Sequence, residues 1–152
     1  MNICVIGAGY VGLVVSSCLS KLGHEVKCIE KDPQKLEKLK RGESTIYEPG
    51  LTQLLTENIE KGLLEFHADF SSLCVDFDIY YMAVGTPSAA DGSADLSYIH
   101  SAIDDIITYV KKDFILVTKS TVPVGTGVKI KKFLDNRLNT TGVKFHYVSN
   151  PE

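Results

Sequence analysis

Asn2-Ile3-Cys4-Val5-Ile6-Gly7-Ala8-Gly9-Tyr10-Val11-Gly12 is the stretch whose reading decides the fold. The apolar, β-branched run from Asn2 to Ile6 predicts a strand buried on both faces. After the glycines, Val11, Val14, Val15, Cys18, Leu19 and Leu22 recur at helical spacing, which predicts a helix with that stripe inward. Gly23 and His24 close it, and Glu25 to Glu30 reads as a second strand. The order is strand, glycine turn, helix, strand.

Each glycine in the turn has a task. Gly7 turns the chain sharply out of the strand, Gly9 leaves the backbone bare for a diphosphate, and Gly12 lets the helix lie close to the sheet. Gly7, Ala8, Gly9, Tyr10, Val11 and Gly12 are therefore candidate diphosphate-binding residues, on the positive end of the helix. Glu30, eighteen positions beyond Gly12, stands where a carboxylate accepts hydrogen bonds from a ribose diol and repels a 2′-phosphate. That favours NAD over NADP. FAD is the competing cofactor, because its proteins use a similar first unit.

Working outward, 152 residues suit one domain with a single sizeable core. Apolar residues at 44% and charged residues at 23% are ordinary for a globular protein. A net charge of −3 leaves no electrostatic footprint for nucleic acid. No apolar run approaches the roughly 20 residues that span a bilayer, so no membrane partner is expected. The first strand starts at once, with no leader before it, and a cytoplasmic location is the expectation. Cys4, Cys18, Cys28 and Cys74 lack ligand spacing and read as buried, reduced thiols. His24, His67, His100 and His146 are scattered singly, on expected surface or edge positions, and no metal site is expected.

Further along, Gln34 to Arg41 reads as a charged helix with Leu36 and Leu39 inward, and Leu51 to Lys61 as a second amphipathic one. Lys35 could reach the adenosine ribose or a phosphate; on spacing alone it reads as a solvated helix lysine. Strands are expected at 63–67, 77–84, 114–118 and 144–149, a helical turn at 69–75, and helices at 96–110 and 128–138. Asp95 or Ser97 can cap the first of those helices. The polar loop 88–95, holding Asp91-Gly92, is long enough to suggest a functional role. Six strands alternating with helices predict an α/β Rossmann-type doubly wound parallel sheet of order 3-2-1-4-5-6. That order brings the loops 7–12, 84–87 and 120–122 to one sheet edge, where the first and fourth strands diverge.

Five segments then resemble one family in series: Val-Ile-Gly-Ala-Gly-Tyr-Val-Gly-Leu (5–13), Tyr-Glu-Pro-Gly-Leu (47–51), Ala-Val-Gly-Thr-Pro (83–87) with Asp-Gly-Ser-Ala-Asp-Leu-Ser (91–97), Lys-Ser-Thr-Val-Pro-Val-Gly-Thr (119–126) and Ser-Asn-Pro-Glu (149–152). Together they are similar to the UDP-glucose/GDP-mannose dehydrogenase family, and the second favours the branch acting on UDP-glucose over those acting on N-acetylated sugars. The resemblance implies two successive oxidations of a nucleotide sugar at C6, each reducing one NAD. It implies that residues 7–12 hold the diphosphate, Glu30 the adenosine ribose, and Lys35 an adjacent ribose or phosphate. Val84, Gly85, Thr86 and Pro87 would line the cofactor cleft. Ser120, Thr121 and Val122 would lie beside the nicotinamide, with Thr121 bonding a water or the reacting oxygen. Without the resemblance, a helix or turn cap is the lesser, competing reading of Thr121. Glu152 would handle protons.

The family's nucleophilic cysteine, with its lysine, asparagine and aspartate, belongs to a region beyond Glu152, and none of the four cysteines here matches its motif. The expectation is thus an NAD-binding domain spanning 1–152. It would be a fragment of a homodimeric parent that uses UDP-glucose, and it would bind NAD without turning substrate over. Another nucleotide-sugar dehydrogenase of the family or a stand-alone nucleotide-sensing module are the alternatives.

Overall fold

The computed structural model describes residues 1–73, 76–89 and 92–151. Cys74, Asp91 and the candidate Glu152 lie outside them. The described residues form β1 (Asn2–Ile6), α1 (Tyr10–Lys21), β2 (Glu25–Ile29), α2 (Pro33–Lys40), α3 (Leu51–Glu60), β3 (Leu64–His67), β4 (Ile79–Met82), α4 (Ser97–Tyr109), β5 (Phe114–Thr118), α5 (Thr126–Leu138) and β6 (Phe145–Ser149). Every strand pair is parallel, and the sheet runs β3-β2-β1-β4-β5-β6, the expected order.

The two faces of the sheet carry separate cores, as a doubly wound sheet requires. On one face Ile3, Val5, Val26, Cys28, Leu64 and Phe66 pack with Leu13, Leu36, Leu39, Leu51 and Leu55 of the first three helices. On the other, Cys4, Ile6, Tyr80, Met82 and Leu116 pack with Ile99, Ile103, Ile106, Ile130 and Leu134 of α4 and α5. Phe70 and Phe77, from the link between β3 and β4, join the second core, and Tyr80 meets Phe77 and Phe114 edge to face. The described part of 69–75 is bend and turn rather than helix. β4 is also shorter than expected, because Phe77 belongs to that link and residues 83 and 84 to the site loop. The loop 88–95 is not structureless: Ser88 and Ala94 form an antiparallel bridge, and Ala89 N donates to Ser93 O at 2.7 Å.

Helix α1 corrects the sequence reading. Its inward face is Gly12, Leu13, Ser16, Ser17 and Ser20, while Cys18 and Leu22 are exposed. The buried serines need no outside partner, because each hydroxyl donates to a carbonyl one turn back: Ser16 to Gly12 O and Ser17 to Leu13 O at 2.7 Å, and Ser20 to Ser16 O at 2.9 Å. Small side chains let the helix axis approach the sheet closely, and Val14, Val15 and Leu19 pack against the same core while half-buried. Cys4 and Cys28 are buried as expected. Burial pushes both thiols up, Cys28 to about 12, so both stay protonated and inert.

Candidate nucleotide-binding site

At the carboxyl ends of β1, β2 and β4 lies a cleft of about 370 Å³, the scale of a small-ligand site. Its floor is the glycine turn. Gly7 has φ +99°, and a Cβ there would lie 2.7 Å from Ala83 O. Gly7 N donates to Ile29 O, and Ala83 N to Ile6 O, both at 2.9 Å, so the three strand ends are stitched together beneath the cleft. A Cβ on Gly12 would lie 1.8 Å from Gly7 O. Gly9 differs from both. Nothing lies within 4 Å of where its Cβ would be, and it is the N-cap of α1 with no side chain to bond the first-turn amides. The first turn carries no acidic side chain. Bare backbone, helix N-terminus and open space are what a diphosphate requires.

The sugar end is built by the chain leaving β2. Glu30 is half-buried in the cleft wall, and its Oε1 accepts from Asp32 N at 2.8 Å. Asp32 in turn caps α2, its Oδ1 accepting from Gln34 N at 2.9 Å and Lys35 N at 3.1 Å. The cap of α2 and the pose of Glu30 are therefore one hydrogen-bonded unit. Lys35, an exposed residue of α2, lines the same cleft.

Of the sequence candidates, the cleft lining gathers Gly7, Ala8, Gly9, Glu30, Lys35, Val84 and Gly85. Tyr10, Val11 and Gly12 follow directly in α1 and are outside the lining; Tyr10 Oη reaches instead to Glu48 Oε2 at 2.5 Å. Thr86, Pro87, Ser120, Thr121 and Val122 form an adjoining shelf, also outside it. Ser120 Oγ donates to Val84 O at 2.6 Å, Lys119 N to Met82 O at 2.8 Å, and Thr86 Oγ1 to Thr121 O at 2.9 Å. The β4 and β5 loops are thus bonded to each other, with the Thr121 side chain at the exposed surface. The opposite wall, Tyr98, Ser101 and Ala102 of α4, escaped the sequence reading. Its signal was present in the helical stripe through Ile99 and Ile103: residues beside a buried stripe at the start of a crossover helix overhang the sheet edge. Among the described residues, no three His, Cys, Asp or Glu side chains gather to hold a metal.

The sheet order and the bare amide turn, with an acid at the end of the second strand, define a dinucleotide-binding domain of the Rossmann class. Residues 1–152 match the model of the "UDP-glucose/GDP-mannose dehydrogenase family, NAD binding domain", and the chain belongs to that family. It is 40% identical over 154 residues to UDP-glucose 6-dehydrogenase of Pseudomonas aeruginosa, covering all of this chain and 34% of that protein. Against a UDP-glucose 6-dehydrogenase of Bacillus subtilis it is 44% identical, again over 100% of this chain and 34% of the relative. The chain thus spans about a third of the length of these curated relatives. Among solved structures, GDP-mannose dehydrogenase of Pseudomonas aeruginosa superposes with a TM-score of 0.90 at 35% identity, over 100% of this chain and 36% of that one. A UDP-glucose dehydrogenase of Pyrobaculum islandicum gives 0.88 at 37% identity, over 99% and 35%. The match runs the length of the chain, whereas the flavin alternative fits only the first βαβ unit.

Proposed function

We propose that the chain holds NAD in this cleft, as the cofactor domain of an enzyme that oxidises UDP-glucose to UDP-glucuronate. The observation that carries the cofactor site is the void at Gly9, open at the head of α1 and facing the same cleft as Glu30. In this reading the amides of the 7–12 turn bind the diphosphate. Glu30 accepts from the adenosine ribose through the oxygen not already taken by Asp32 N. Lys35 balances the phosphate charge. NAD supplies a hydride acceptor when bound, and its nicotinamide end extends over Val84 to Pro87 toward the shelf of Ser120, Thr121 and Val122. Thr121 then orders a water or the reacting alcohol oxygen, and Glu152 serves as the proton-handling residue.

The substrate assignment is supported by the curated relatives, which are UDP-glucose 6-dehydrogenases. The Tyr47 to Leu51 segment favours the same branch. Since the chain covers a third of those relatives, we assign the sugar nucleotide's main pocket, the nucleophilic thiol and the contacts of a homodimer to regions outside residues 1–152. A cytoplasmic setting agrees with unbridged Cys4 and Cys28. Among the described residues no helix is long and apolar enough to cross a membrane.

Titration calorimetry with NAD tests the reading. Glu30→Ala is expected to weaken binding by about 1–3 kcal/mol, the scale of a lost charge-assisted hydrogen bond. Unchanged affinity would remove Glu30 from the site.

A further inference from the structure

The ribose end of the cleft holds a second cation besides Lys35. Lys31 follows Glu30 directly and lines the same cleft. Its ammonium, however, reaches across to α4, where Nζ lies 3.2 Å from Asp105 Oδ2 and donates to Ser101 Oγ at 3.3 Å. One side chain therefore ties the loop after β2 to the helix after β4, the two walls between which a nucleotide must lie.

As an ion pair between largely exposed groups, this contact contributes little to stability. Its importance lies in where it puts a charge. Dinucleotide sites of this class take a bare ribose diol with a carboxylate at the second strand end, and a 2′-phosphate with a cation beside it. Here Glu30 and Lys31 bring both to the same corner. A free lysine is a compact charge on a flexible stem. Released from α4, it could swing over Glu30 and offset the repulsion that bars a 2′-phosphate.

We propose that Asp105, seconded by Ser101, is a specificity-determining residue. By committing the Lys31 ammonium to α4, it leaves Glu30 free to exclude 2′-phosphorylated dinucleotides. The inference rests on the cleft being the NAD site. Lys35 contributes its charge equally in every variant compared, so it drops out of the comparison.

The test is the ratio of NADP to NAD affinity, measured by titrating the chain and its variants with each nucleotide. Asp105→Asn keeps the side chain's shape at an exposed position. It is expected to raise that ratio about five- to tenfold at low salt, and less at high salt, where exposed charges are screened. Adding Lys31→Met to Asp105→Asn is expected to return the ratio to the wild-type value. A ratio unmoved by Asp105→Asn, or a gain that survives Lys31→Met, overturns the inference while NAD binding by the wild-type chain still stands. A wild-type chain that takes neither nucleotide overturns the NAD reading and this inference with it.

Discussion

Gly9 and Gly12 stand three residues apart in one motif and face opposite constraints. Gly12 is enclosed: an added methyl would meet the Gly7 carbonyl oxygen at 1.8 Å, and backbone cannot move aside as a side chain end would. Gly12→Ala is expected to cost about 2–3 kcal/mol or more of stability, read as a fall in denaturant midpoint with or without nucleotide. Gly9 faces open space at an extended φ of −71° that any residue adopts. Gly9→Ala should change stability by less than about 1 kcal/mol. Its methyl, however, would enter the volume assigned to the diphosphate, so NAD affinity should drop at least tenfold by titration. A Gly9→Ala chain that binds NAD normally would empty the turn of its assigned role. The contrast was legible beforehand, since the motif assigns Gly9 to the diphosphate and Gly12 to close packing. What the fold adds is the partner: the crowding at Gly12 comes from the Gly7 carbonyl, with the Ala83 side chain of the β4 end beside it.

At the scale of elements, α1 and the lower edge of the sheet carry the lesson. The apolar stripe of α1 suggested valines, Cys18 and Leu22 inward. Val14, Val15 and Leu19 do pack against the core, half-buried, but the fully buried positions are Gly12, Leu13 and the three serines, and Cys18 and Leu22 are exposed. Periodicity scores apolarity, and a helix pressed close to a sheet selects for size instead. Serine satisfies its own hydroxyl against the preceding turn, so it can stand in for alanine. The repeat Gly12, Ser16, Ser20 at intervals of four was the available sign.

At the opposite end of the strands, Asp78 is a stitch: Oδ2 accepts from Asn2 N and Oδ1 from Lys112 Nζ, both at 2.8 Å. The hydrogen bond from Lys112, then that from Asn2, holds its carboxyl below the usual carboxylate range. A carboxyl depressed in the folded state adds stability above its unfolded pKa of about 3.9 and loses it as pH falls through the folded value. Asp78→Asn is therefore expected to lower the melting temperature near pH 7. The gap to wild type should close as pH drops below about 4. Because Asp78 is 41% exposed, the effect at neutral pH should stay near or below about 1 kcal/mol. A gap that persists unchanged at low pH would assign the loss to geometry instead of charge.

For the whole molecule, the two cores close around one sheet, and the nucleotide cleft is assembled within the described residues. In the reading proposed above, the nucleophilic thiol lies outside residues 1–152, and among the described residues no cysteine stands at the cleft. Cys4 and Cys28 are buried and protonated between sheet and helices, while Cys18 lies on the outer side of α1, away from the cleft. Mixed with UDP-glucose and NAD, the 152-residue chain is expected to bind NAD yet show no sustained rise in NADH absorbance. Steady turnover would place the nucleophile within these residues and contradict the assignment of that role elsewhere.

By itself the sequence determined the element order, the parallel sheet and its strand sequence, the glycine turn, and Glu30 as its distant companion. Those follow from local periodicity and from the handedness of crossovers, which act along the chain. Only the tertiary structure decided which face of α1 turns inward and that Lys35 belongs to the cleft. It also decided that Tyr98, Ser101 and Ala102 form the opposite wall, and that Lys31 is held by Asp105. These depend on how closely elements remote in sequence approach one another, and the sizes of facing side chains across the sheet edge set that distance.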